Sequence, residues 1–146
     1  MLKRMKLNVS SSIQNLDDFG LADGDVEVNN ESALCTYRID SETVSVSYKT
    51  ITEGGAVNTS YRLTGDALTV TRSGAINSVI VFKTGETHSS IYEITPYKFD
   101  MTVTTKRLRH TVTAGGAEID LLYEMNVGDA AKLCKMKITV YEENSI

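Results

Sequence analysis

Cys134-Lys135-Met136-Lys137-Ile138-Thr139-Val140-Tyr141 is the stretch that decides the fold of this chain. Successive side chains of a strand point to opposite faces. Cys134, Met136, Ile138 and Val140 therefore share one face, and Lys135, Lys137, Thr139 and Tyr141 share the other. One apolar and one polar face describe a half-buried strand, as in an antiparallel sheet that covers its core on one side.

The same two-residue period recurs in about nine segments, with no convincing helical stretch between them. Met5, Leu7, Val9 and Ile13 are in phase in a first strand from Lys3 to Ile13. Ala33, Cys35, Tyr37 and Ile39 follow in a segment from Val26, then Val44, Val46 and Tyr48, then Val57, Tyr61 and Leu63. Leu68 and Val70, Ile80 and Phe82, Met101 and Val103, and Ile119 and Leu121 continue the pattern. Turn signals separate these runs at Asp40-Ser41, Gly54-Gly55, Gly65-Asp66, Gly85-Glu86, Gly115-Gly116 and Gly128-Asp129. Gly74 interrupts its strand as a bulge or bend, and Pro96 precedes a strand, where its missing N–H does least harm. Asp17 to Gly24 reads as a loop or a short turn of helix.

Short connections between successive strands favour an up-and-down meander, and closure removes exposed edges. The expectation is an all-β fold: a single domain over residues 1–146, closed into an antiparallel barrel of about eight to ten strands. Such a barrel encloses packed side chains or one small ligand.

Composition restricts the function classes. Net charge is −4, which argues against a nucleic-acid partner. The start of the chain lacks the apolar run of a signal peptide, and no segment is apolar enough for a membrane helix. Without aromatic girdles a membrane barrel is also disfavoured. Cys35 and Cys134 both lie in the apolar phase and read as buried thiols in a reducing compartment, so the expected location is the cytoplasm.

Several segments of the second half act together as a signature: Leu68 to Arg72 with Gly74, Tyr92-Glu93-Ile94-Thr95-Pro96-Tyr97, Thr104-Thr105-Lys106, Gly115-Gly116 and Tyr123. They resemble the YwiB-like family of small bacterial proteins, in strand order as well. The resemblance implies a calycin-type, lipocalin-like barrel of uncharacterised function, with no established active site to transfer. The family glycine close after the Thr-Pro-aromatic step is replaced here by Lys98-Phe99. The Gly-x-Trp signature of lipocalins proper is absent, since the chain has no tryptophan.

Arg72 breaks the pattern most sharply. It shares phase with Leu68 and Val70, so alternation points its guanidinium into the barrel. Isolated burial of a charge is costly. Arg72 is therefore an anchor for an anionic head group, a rim residue beyond a bend at Gly74, or a member of an internal ion pair. Tyr37, Tyr48, Tyr61 and Tyr123 share the apolar phase of their strands. They are either the polar pole of a ligand cavity beside Arg72 or ordinary core tyrosines.

No catalytic motif, cofactor fingerprint or metal-ligand spacing is present. His88 reads as half-buried and His110 as solvated; Asp23 to Glu27 reads as a solvated acidic connection, and Lys106 to His110 as a strand end and loop. The reading that follows is a binding barrel for a small apolar or anionic molecule. Its alternative is a structural or interaction module with a solid core, possible as a homodimer through the outward Val79 and Val81.

Overall fold

The computed structural model describes residues 2–17, 19–128 and 130–142. Ten strands follow one another in chain order: β1 (Leu2–Leu16), β2 (Ala22–Asp40), β3 (Thr43–Thr52), β4 (Gly55–Thr64), β5 (Ala67–Gly74), β6 (Ile76–Lys83), β7 (Thr87–Ile94), β8 (Tyr97–Thr113), β9 (Gly116–Val127) and β10 (Ala130–Tyr141). Each pairs antiparallel with its sequence neighbours, and β1 pairs with β10 to close the barrel. This is the all-β, up-and-down closed barrel expected from the alternation, consistent with a calycin-like barrel. Among the described residues no helix is long and apolar enough to cross a membrane.

The in-phase residues fill the interior. Leu7, Leu68 and Ile138 are completely buried, and Met5, Tyr37, Val46, Tyr61 and Val103 are nearly so. Their outward neighbours are largely exposed. Cys35 and Cys134 are free thiols inside this core.

Turns fall at the glycine signals. Gly74 ends β5 with φ +111° and lies so close to β4 that a Cβ there would sit 2.2 Å from the Ala56 carbonyl oxygen. The next residue, Ala75, donates its N–H to the same carbonyl. Asp17 organises the β1–β2 turn by accepting the N–H groups of Phe19 and Leu21.

Three expectations need correction. The Asp17–Gly24 loop is shorter than read, because β2 begins at Ala22. Asp25 and Glu27 consequently lie on an exposed strand rather than in a connection. The basic run Lys106 to His110 is internal to β8, not a strand end and loop. A register shift between Thr105 and Arg107 against β9 breaks the alternation there, which made a continuous strand look like its end.

The ladders are uneven. β2 pairs with β1 along most of its length but with β3 only from Thr36 to Asp40. β6 pairs with β7 only at Ile76↔Ile94 and Asn77↔Glu93. The second of these gaps opens beside Arg72.

Candidate functional site

Arg72 lies near the end of β5, between Thr59 on β4 and Ser78 on β6. It stays in phase with Leu68 and Val70, so the guanidinium faces inward and is partly buried. Tyr61, Tyr92, Tyr48 and Tyr123 surround it within electrostatic reach. Among the described residues no carboxylate comes within salt-bridge distance of Arg72. An internal ion pair therefore does not account for its placement.

The tyrosines divide into three groups. Tyr48 and Tyr61 stack at 5.8 Å between ring centroids and share a buried hydroxyl–hydroxyl hydrogen bond of 3.0 Å. Burial pushes both phenols up from their ordinary range, while Tyr48 and the Arg72 cation pull Tyr61 back down. Glu31, reaching in from β2, acts on the Tyr48 hydroxyl as a further nearby acceptor. Tyr123 packs its ring against Phe82 at 4.8 Å, with its hydroxyl beside Cys134. Burial first, and the thiol second, raise its pKa.

Tyr37 stands apart. Its hydroxyl donates to the carbonyls of Thr113 and Gly116, at 2.9 and 3.1 Å, and so ties β2 to the β8–β9 turn at the opposite end of the barrel. Of the five residues singled out from the sequence, the fold brings together Arg72, Tyr48, Tyr61 and Tyr123, and not Tyr37.

Two spaces meet at Arg72. An inner cavity of about 440 Å³ opens at the barrel end that holds it, with Ile80, Tyr92, Phe99, Tyr123 and Met125 among its walls. Most of its surface is apolar; Arg72 and Lys132 are the cations that line it. An outer cleft of about 1060 Å³ runs over β6, β7 and β8 and is also lined by Arg72. Tyr48 and Tyr61 line neither space and form a layer behind the guanidinium.

Lys132 and Tyr92 are site residues that the sequence reading passed over. Lys132 shares phase with Cys134 and Met136, so the argument used for Arg72 would have found it had β10 been extended to Ala130. Tyr92 lies on β7, where no residue is fully buried and the alternation carries little contrast. His88 lies outside this cluster, half-buried, with its ring Nε2 3.0 Å from a Glu86 carboxylate oxygen; His110 is exposed.

The family model described as Domain of unknown function (DUF1934) matches residues 19–140. The chain belongs to this family. The crystal structure of ywiB protein from Bacillus subtilis is similar to this chain, with a TM-score of 0.85 and 25% sequence identity, covering 98% of this chain and 94% of that one. The comparison with curated proteins gives no match. The DUF1934 match spans eight complete strands, β2 to β9, and most of β10, and so includes Arg72, Tyr92, Tyr123 and Lys132.

Proposed function

We propose that this barrel binds a small amphipathic anion, its apolar body in the inner cavity and its acidic head at Arg72. The observation that carries this reading is the inward guanidinium at the edge of an apolar space, bonded to the Tyr61 hydroxyl but matched by no carboxylate among the described residues. A planar fork of donors suits a carboxylate or similar oxyanion. The cavity volume falls in the range of roughly 300–1,000 Å³ common to small-molecule sites, and apolar walls with a few polar groups are their usual make-up. Tyr123 and Tyr92 supply hydroxyls beside the head, and Lys132 adds a second positive charge. Tyr48 and Tyr61 hold the guanidinium from behind. The two buried thiols support a reducing compartment such as the cytoplasm.

Isothermal titration with dodecanoate, and with dodecanol as the uncharged control, tests the proposal. The wild-type protein is expected to bind dodecanoate and to bind dodecanol at least tenfold more weakly, roughly the ~1.4 kcal/mol of one charge-assisted contact. Arg72→Met should erase the preference. Equal binding of both compounds, or of neither, overturns the reading.

A second reading, as an interaction module, draws on β2. From Ala22 to Cys35 this strand has no partner on its β3 side, and Val26 and Val28 are 52% and 60% exposed. An unpaired strand edge with apolar side chains is a template for pairing with another chain. Sedimentation equilibrium distinguishes the two: a concentration-independent monomer removes the homodimer version.

A further inference from the structure

The barrel wall is incomplete beside Arg72. Past Asn77, β6 keeps its ladder with β5 but has none with β7, and β7 keeps its ladder with β8. The outer cleft lies over this seam, with Ser78 and Val79 on one bank and Ser89, Ser90 and Ile91 on the other. Arg72 and Met101 line both the cleft and the inner cavity, so the two spaces adjoin at the guanidinium.

Ser78 Oγ and Ser90 Oγ are buried and have no hydrogen-bond partner; no other side-chain nitrogen or oxygen among the described residues is in that state. Ser78 is only 6% exposed. Both residues line the cleft over the same seam, one from each bank. A buried hydroxyl left unpaired is destabilising, and native folds retain such groups chiefly where a water, an ion or a ligand completes them. Each serine reorients about a single side-chain torsion among three staggered positions. Ser78 is the direct cross-strand neighbour of Arg72, and Ser90 is paired with Met101, which lines both spaces.

The charges around the seam limit what fits. Lys98 and Glu93 pair at 3.5 Å, and Asp100 also lines the cleft. Counting Arg72 and Lys132, the formal charges of these five side chains leave one positive in excess, which suits one added negative charge and opposes two.

We infer that the ligand head is a monoanion seated in the side wall itself, held by the Arg72 guanidinium and by hydrogen bonds donated from Ser78 and Ser90. This rests on the reading of Arg72 as the anion anchor. A carboxylate presents about four lone-pair sites: the guanidinium fork takes two, and the two hydroxyls take the others. The apolar chain then passes inward past Met101 into the cavity.

The double variant Ser78→Ala/Ser90→Ala, with the two single variants beside it, tests the seat by dodecanoate titration and thermal melting. The double variant is expected to bind dodecanoate about tenfold more weakly while its ligand-free Tm stays level or rises, because two orphan hydroxyls are gone. Dodecyl phosphate, a dianion at pH 8, should bind wild type more weakly than dodecanoate. Unchanged dodecanoate affinity in the double variant, together with its loss in Arg72→Met, overturns the side-wall seat and leaves the anchor standing. Unchanged affinity in Arg72→Met overturns both. A fall in ligand-free Tm in the double and both single variants assigns the hydroxyls to structure and overturns the seat as well. Tighter binding of dodecyl phosphate overturns the monoanion assignment.

Discussion

Arg72 is placed at a cost to stability that its neighbours only partly offset. Tyrosine hydroxyls are weak partners for a desolvated guanidinium compared with a carboxylate. Replacing a buried, poorly paired charge by an apolar side chain of similar size is commonly neutral or stabilising. Arg72→Met should therefore raise the free energy of unfolding by about 1 kcal/mol or leave it unchanged in urea titrations. A loss of several kcal/mol would mean that the guanidinium is a structural strut. The Tyr48–Tyr61 hydrogen bond behaves differently, because removing one hydroxyl strips the other of a buried partner, leaving Tyr48 with Glu31 and Tyr61 with Arg72. Tyr48→Phe and Tyr61→Phe should each destabilise by about 1–2 kcal/mol, and the double variant should cost less than their sum. Strict additivity in that cycle would show the hydroxyls to be independently satisfied.

Strand ends and ladders decide where the barrel is rigid and where it opens. Gly74 at the end of β5 and Gly116 at the start of β9 have φ of +111° and +153°. At each, an added Cβ would come within 2.2 Å of a backbone oxygen, that of Ala56 or Val140. Backbone cannot move aside as a side-chain tip can, so Gly74→Ala and Gly116→Ala should each cost about 2 kcal/mol or more in urea unfolding. Gly65 also has positive φ but no atom within 4 Å of an added Cβ, so Gly65→Ala should cost about 1 kcal/mol, from backbone conformation alone. Comparable losses at all three would assign the effect to φ and not to the close approach. The partial β6–β7 ladder belongs to this scale too, since two residue pairs and a turn hold together the strands that flank Arg72.

Across the whole molecule, burial of phenols and thiols sets the response to alkali. Burial pushes the Cys35 thiol up to about 11 from its ordinary 9.0, and it raises Cys134 in the same direction. Tyr37, Tyr48, Tyr61 and Tyr123 are all raised from 10.0. In each case the unfolded chain releases its proton at a lower pH than the folded chain. Above the unfolded value the unfolded state binds fewer protons, so stability falls as pH rises. These groups stabilise the fold fully below about pH 9 and progressively less from there through 11, at up to ~1.4 kcal/mol per pH unit for each group in its window. The urea midpoint should be unaffected by them up to pH 9 and drop steeply beyond. Cys35→Ala/Cys134→Ala should delay the onset toward pH 10, where the phenols begin. A midpoint already falling between pH 7 and 9 in wild type, and unchanged in that variant, would place the dominant groups elsewhere.

The period-two rhythm determined the strands, their inward faces and the closed meander, because alternation is local and each strand carries it independently. Arg72 and the buried tyrosines and thiols were legible for the same reason. Strand lengths were less so: the first residues of β2, from Ala22 to Asp25, carry no apolar alternation to mark them. Only the tertiary structure separated Tyr37 from the other tyrosines, because one inward phase serves both ends of a barrel and nothing along a strand says which end faces which. Only the tertiary structure joined Lys132, Tyr92, Ser78 and Ser90 to Arg72. Those residues come from four strands, and their meeting depends on register and on where a ladder stops, which arise from pairing between segments and from no segment alone.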